Sequence, residues 1–175
     1  MPDLLIRIKK KSDGAAAMSC VSSDRSVTWQ RQDGQLGSFF PFHDLTHYAV
    51  ETTLGFRRAF YGLVSEGWNI TDFGLPGTKE RLPAEALLAE LIVGYFDLER
   101  AIGAFGNANE FNGKIRAYYA DNRLPVPSFR ITEEQVARIR ELRSELFEKW
   151  KAVPAGEVIE LPFSRAADTK HARLS

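Results

Sequence analysis

The sequence predicts an α+β fold, in which a small antiparallel sheet packs on a bundle of about four helices. Two patterns predict it: apolar and polar residues alternate near the start of the chain, and from about residue 44 apolar residues recur at helical spacing. The chain has 175 residues, of which 44% are hydrophobic, which is ample for one core but short for two. We therefore expect one domain over residues 1–163 and a polar tail over residues 164–175.

The sheet is expected to be a meander of three N-terminal strands, joined by a fourth strand from near the end of the chain. In the first strand, Leu4, Ile6 and Ile8 alternate with polar residues and should face the core. Cys20 is expected to be a small buried side chain in the second strand. The predicted strands cover residues 4–9, 15–22, 26–31 and 158–161.

Four helices are expected between the third and fourth strands. The first covers residues 44–66 and should be the central helix of the bundle. The second begins near Pro83, since proline suits the first helical turn. Asn107 and Thr132 each precede an acid or amide by three residues, and this is the capping-box pattern that begins a helix.

Composition excludes several classes of function. Twenty-three basic and twenty-three acidic side chains cancel, so no overall field favours nucleic acid or an anionic membrane. The single cysteine, Cys20, excludes an intrachain disulfide and a cysteine-rich zinc site, which fits a reducing compartment. No apolar run approaches the ~20 residues that a membrane span needs. These observations predict a cytoplasmic protein that binds neither nucleic acid nor membrane.

One segment concentrates the candidate functional residues. His43, Asp44, His47 and Glu51 lie within nine residues and include two of the three histidines. On a helix, residues four apart lie on the same side, one turn above each other. Two imidazoles at that spacing can therefore chelate one metal ion.

Two resemblances concern this segment. The histidine spacing resembles the H-E-x-x-H helix of the zincins, in which two histidines hold zinc and the glutamate activates water. The resemblance covers residues 43–47 and departs at Asp44, which is one methylene shorter than glutamate. The longer segment HDLTHYAVE, at residues 43–51, resembles a group of small uncharacterised bacterial proteins. That resemblance implies no particular activity.

The predicted first helix is apolar on two sides. His43 and His47 lie roughly opposite its main apolar stripe, so we expect them to face protein or a cleft. Gly55 and Gly62 lie beside the carboxylates, where they would let a ligand or another backbone come close. The main stripe comprises Leu45, Ala49, Thr52, Phe56, Ala59, Phe60 and Leu63.

Three explanations of the cluster are open. In the first, His43 and His47 hold a divalent ion together with Glu51 or another carboxylate, and Asp44 orients a ligand or water. In the second, Asp44 is the N-cap of the helix and His43 lies outside it. In the third, the histidines are core residues that bond to carbonyl groups or to a Glu51 that also pairs with Arg58.

A carboxylate from elsewhere in the chain could complete a metal site. Glu90, among apolar residues of the second helix, is the first candidate, ahead of Asp72 and Asp97. A carboxylate so placed either lies on a narrow exposed stripe together with Asp97, which the sequence favours, or is buried for a purpose such as metal binding.

The leading functional hypothesis is a divalent-metal-binding protein, with a metal-dependent hydrolase as its enzymatic form. Its ligands are His43, His47, Glu51 and Glu90, with Glu51 serving as a third ligand or as an orienting partner, and Asp44 is the candidate base. Zinc is the first choice of ion, although manganese, nickel and iron also accept imidazole with carboxylate. The alternative is a non-catalytic structural or interaction domain. The expected partner is a small molecule, a protein or a second copy of the chain.

Overall fold

The N-terminal strands form the predicted meander, and the fourth strand pairs with the first. The order across the sheet is β3-β2-β1-β4, and every neighbouring pair is antiparallel. The computed structural model describes residues 2–104 and 106–165. Its strands are β1 (Leu4–Lys10), β2 (Ala16–Ser22), β3 (Val27–Gln32) and β4 (Val158–Phe163), and its helices are α1 (Phe40–Leu54), α2 (Phe60–Ser65), α3 (Ala84–Ile102), α4 (Ala108–Asp121) and α5 (Glu133–Ala152).

One face of the sheet forms part of the core. Ile6 pairs with Cys20 on β2 and with Leu161 on β4, and all three side chains are buried. Side chains on a strand point alternately to the two faces, so this register places the apolar side chains of β1 together on the inner face. The α+β prediction is confirmed, and so is the expectation that Cys20 is buried.

The helices cover the inner face of the sheet, and α1 packs against α2, α3 and α5. Asn107 and Thr132 form the predicted capping boxes at the starts of α4 and α5. The helix α3 begins directly after Pro83. Two short 3-10 helices, Ile70–Gly74 and Lys79–Arg81, connect α2 to α3.

The prediction of one helix over residues 44–66 is wrong at its start and in its middle, where the helix is interrupted. The helix α1 begins at Phe40, with Pro41 in its first turn, where proline costs no backbone hydrogen bond. It ends at Gly55, which adopts the left-handed conformation with φ of 67°. This conformation closes a helix and is most accessible to glycine. The chain then turns and resumes as α2. Thr52, which belongs to the predicted apolar stripe, is exposed on α1.

The tail prediction can be compared with the structure only at its start. The backbone N–H of Arg165 donates to Asp3 Oδ2 at 2.7 Å, and its guanidinium lies 3.1 Å from Glu66. Residues 166–175, including His171, lie outside the described residues. None of the described helices is both long enough and apolar enough to cross a membrane.

Candidate functional site

The two histidines of α1 face the middle of α3. His43, His47 and Glu90 each offer one ligand atom, and these atoms all lie within 4.8 Å of one another. The two imidazole rings have centroids 4.8 Å apart and are nearly perpendicular, at 78°. This group of three could hold a metal ion. Its third member, Glu90, is the residue that the sequence analysis named first as a further ligand.

His47 lies between two carboxylates. Its Nδ1 is 3.1 Å from Oε1 of Glu51, and its Nε2 is 3.3 Å from Oε1 of Glu90. Burial alone would lower the pKa of His47, but the charge on Glu90 and the hydrogen bonds with both carboxylates raise it well above its usual value. The ring is therefore fixed in orientation, with Nε2 directed at the carboxylate of α3.

His43 has a carboxylate partner of its own. Its Nδ1 lies 2.6 Å from Oδ2 of Asp97, and the ring of Phe39 stacks on its imidazole with centroids 5.5 Å apart. Oδ1 of Asp97 is buried and has no hydrogen-bond partner within residues 2–104 and 106–165. Asp97, nominated from the sequence as a reserve ligand, thus contacts Nδ1 of His43 and is not one of the group of three.

Glu90 is both half exposed and part of the group. Its side chain is 47% exposed, which leaves it open to solvent and to a ligand, while Oε1 contacts His47. Partial desolvation opposes ionisation, but the charges on His47 and His43 and the hydrogen bond from His47 outweigh it and lower the pKa of Glu90 to about 2. Glu90 is therefore an ionised carboxylate at neutral pH.

Glu51 lies on the opposite edge of the His47 ring from Glu90. Its Oε1 contacts Nδ1 of His47, and its Oε2 accepts the backbone N–H of Tyr61 at 3.0 Å. Burial raises the pKa of Glu51, although the hydrogen bond with His47 works against this increase. Glu51 lies outside the group of three and contacts it only through His47. The proposed pairing with Arg58 is wrong, since Arg58 pairs with Glu66.

Asp44 forms its side-chain hydrogen bond with the sheet and not with the histidine group. It is buried, and Oδ2 accepts a hydrogen bond from Nε2 of Gln32 at the end of β3. One residue along a helix turns the side chain by about 100° from that of His43. Asp44 lies inside α1 and not before it, so the N-cap explanation is wrong. Burial raises the pKa of Asp44 to about 6, against the hydrogen bond from Gln32 and the charges on His43 and His47.

Asp72, the other reserve ligand, has a local structural role. Its carboxylate accepts the backbone N–H of Asn69 at 2.9 Å and completes a capping box on the 3-10 helix. Asp72 therefore stabilises a turn and is not part of the group of three.

Comparisons with known proteins do not indicate a function. No family model, curated protein or solved structure matches the chain. The resemblance of residues 43–51 to small bacterial proteins stays a prediction.

A cleft of about 420 Å³ adjoins the group at Glu90. Sequence reasoning missed its other polar residues, Lys79 and Tyr118, because they lie on separate elements and no local pattern connects them. Its apolar wall continues to the histidines, since Phe73 packs on Phe60 and Phe60 packs on His47, with ring centroids 4.6 and 5.4 Å apart. The group of three thus has a sheltered side at α1 and an accessible side at the cleft. The cleft is lined by Phe73, Lys79, Leu82, Leu87, Glu90, Leu91 and Tyr118.

Proposed function

We propose that this protein binds a divalent metal ion, zinc first, through His43, His47 and Glu90. One observation carries the proposal: each histidine has a carboxylate on Nδ1, Asp97 for His43 and Glu51 for His47. Metal-ligating histidines nearly always donate their other ring N–H to such a partner, which fixes the tautomer and makes the ligating nitrogen more basic. If the histidines only formed ion pairs at the surface, a carboxylate on Nδ1 of both rings would not be required.

The distances support a tetrahedral ion. With ligand bonds of about 2.0–2.1 Å, neighbouring ligand atoms around such an ion lie about 3.3 Å apart. Nε2 of His47 and Oε1 of Glu90 are already 3.3 Å apart. The widest separation in the group is within 4.8 Å, and the partly exposed side chains of His43 and Glu90 have room to close it.

The number of ligands favours a catalytic site over a purely structural one. Two histidines and a glutamate leave the fourth position of zinc free for water, as in metal-dependent hydrolases. That position would adjoin the cleft at Glu90. Asp44 supplies no base in this proposal, because its carboxylate is turned to Gln32.

A second candidate function is favoured by the charge on His47. The raised pKa of His47 means that a protonated ring can bridge Glu51 and Glu90 without an ion, which suits a non-catalytic structural domain. In that case a proton occupies the position that the metal would take. The two functions therefore differ in whether an ion displaces this proton.

The test is metal analysis of the protein prepared without a histidine tag, loaded with zinc and dialysed. We expect one ion per chain in the wild type and in His171→Ala, which alters the remaining histidine of the chain. We expect the ion to be lost in His43→Ala and His47→Ala. Circular dichroism of each variant reports whether it is folded.

Two results would contradict the proposal. One is a folded wild-type protein that retains no zinc, manganese, nickel or iron after loading. The other is stoichiometric metal that persists in folded His47→Ala. Either result would favour the structural domain.

A further inference from the structure

The cleft beside Glu90 has the size and lining of a small-molecule site. Its volume of about 420 Å³ falls within the ~300–1,000 Å³ that is typical of such sites. It lies where α3, α4 and the short 3-10 helices meet. Because Glu90 belongs both to the cleft and to the histidine group, a molecule in the cleft would reach the proposed ion.

One wall of the cleft is apolar and incompletely covered. Leu87 and Leu91 lie one turn apart on α3, with Leu82 just before the helix, and all three are only partly buried. Phe73 closes the wall and connects it to His47 through Phe60. Partly exposed apolar side chains around a cavity favour a ligand with an apolar body, since its binding would remove their surface from water.

The cleft also presents a cation and a hydroxyl group. The ammonium group of Lys79 is exposed and forms no hydrogen bond or ion pair within the described residues. The hydroxyl of Tyr118 has no hydrogen-bond partner in the same part of the chain. The charge of Lys79 attracts the nearby Glu90 and contributes to the lowered pKa of that carboxyl, but Glu90 forms its ion pair with His47. An anionic ligand group would therefore find two donors among the residues that line the cleft.

We propose that the cleft binds a small carboxylate with an apolar body, its carboxylate on Lys79 and its apolar part against Leu87, Leu91 and Phe73. The role of such a molecule as a ligand presented to the metal-dependent site rests on the function proposed above, whereas its binding in the cleft needs no ion. Charge complementarity favours this class of ligand over two others. A neutral apolar molecule would form no charged hydrogen bond with Lys79. A dianion of similar size would have too little apolar surface to pack against the leucines.

The probe is 3-phenylpropionate, and its neutral control is 3-phenyl-1-propanol, both titrated by calorimetry into the zinc-free protein in EDTA. We expect 3-phenylpropionate to bind with a dissociation constant of about 1 mM, as the affinity per atom of small ligands indicates. We expect binding of the alcohol to be at least about tenfold weaker, because it cannot form the charged hydrogen bond.

Three variants test the role of Lys79. Lys79→Gln should weaken 3-phenylpropionate binding by about tenfold, whereas Lys79→Arg should retain most of it because the charge remains. Lys149→Gln alters an exposed lysine of α5 and should leave binding unchanged. Equal binding of acid and alcohol, or an unchanged affinity in Lys79→Gln, overturns the inference.

The two proposals fail in distinguishable ways. If zinc binds but 3-phenylpropionate does not, with or without zinc, the metal function stands and this inference is wrong. If 3-phenylpropionate binds in EDTA through Lys79 but no ion ever binds, the cleft is as inferred and the metal function is wrong. If 3-phenylpropionate binds only with zinc and equally in Lys79→Gln, its carboxylate ligates the ion, and the assignment to Lys79 is overturned.

Discussion

Nδ1 of His47 lies 3.1 Å from Oε1 of Glu51, one helical turn further along α1. Both side chains are buried, so neither exchanges this partner for water. The second oxygen of Glu51 accepts the N–H of Tyr61, and this fixes the carboxylate at both ends. The opposite ring nitrogen of His47 is left for Glu90, or for an ion between them.

Replacing Glu51 with glutamine should weaken zinc binding by about ten- to a hundredfold, as for other changes to the partner of a ligand histidine. The amide oxygen can still accept from Tyr61, but an amide N–H would then face Nδ1 of His47. That contact favours the tautomer with its proton on Nε2, the nitrogen that must hold the ion. Competition with a chromophoric chelator measures the affinity. The surface variant Glu141→Gln is the control, and equal affinities in both variants would contradict the assigned role.

Replacing Asp44 with asparagine should stabilise the metal-free protein at neutral pH and not in acid. The folded pKa of Asp44 is about 6, against a usual value of 3.8, so between these values the folded state binds more protons. Stability contributed by the protonated form is therefore lost as pH rises through this window, by roughly 2 to 3 kcal/mol in all. The asparagine amide keeps an acceptor for Gln32 and has no charge to bury.

Urea unfolding of both proteins in EDTA at pH 4, 5, 6 and 7 tests this prediction. The difference in free energy of unfolding should grow with pH in favour of Asp44→Asn. A difference that is constant across the series would show that the Asp44 carboxylate is not destabilised by burial.

Gly62 should tolerate no side chain. A Cβ at Gly62 would lie 2.0 Å from the carbonyl oxygen of Arg57, so Gly62→Ala must displace backbone, at a cost of about 3 kcal/mol or more. Gly94→Ala is the matched control: no atom lies within 4 Å of a Cβ there, in the middle of α3. This change should stabilise the protein by about 0.5–1 kcal/mol. Urea denaturation measures the free energy of unfolding of each variant. Similar changes in Gly62→Ala and Gly94→Ala would contradict the packing argument.

Arg143 should be one of the more costly residues of α5 to replace. It is buried, and its guanidinium donates to the carbonyl of Phe96 at 2.7 Å and to Oγ1 of Thr46 at 3.2 Å. Arg143→Met removes both charged hydrogen bonds from a buried position and should cost roughly 2–4 kcal/mol. Arg138→Met removes an exposed pair with Glu141 on the same helix and should cost less than about 1 kcal/mol. The midpoint temperature of thermal unfolding is measured for both variants. Equal decreases from the wild-type midpoint would contradict the prediction.

Local signals in the sequence predicted much of the fold. The alternation in β1 and the caps at Asn107 and Thr132 each act over a few residues, and the structure confirms all of them. The break at Gly55 was missed, because a glycine inside an apolar helical pattern does not reveal whether its φ will be positive. The burial of Arg143 was also missed, because a charged side chain usually faces solvent, although Arg143 lies four residues after the buried Ile139 and three before the buried Leu146.

The candidate site was predictable only in part. Helical spacing joined His43 to His47, and a carboxylate among apolar residues made Glu90 the first choice for a third ligand. The partner of Asp44 could not be found in this way, since Gln32 reaches it from the end of a strand. Contacts between separate elements depend on how those elements pack, and a single sequence carries no direct signal of that packing.

Glu51 also has a consequence for local opening of the chain. Its Oε2 binds the first turn of α2, whose N-cap Ala59 provides no side-chain acceptor for the backbone there. If this short helix unwinds, the carboxylate loses that anchor and the imidazole beside it is free to rotate. We therefore expect amide hydrogen exchange at Tyr61 to slow when an ion binds to His47. The bound ion would stabilise the orientation of the imidazole and so make the unwinding of α2 less favourable.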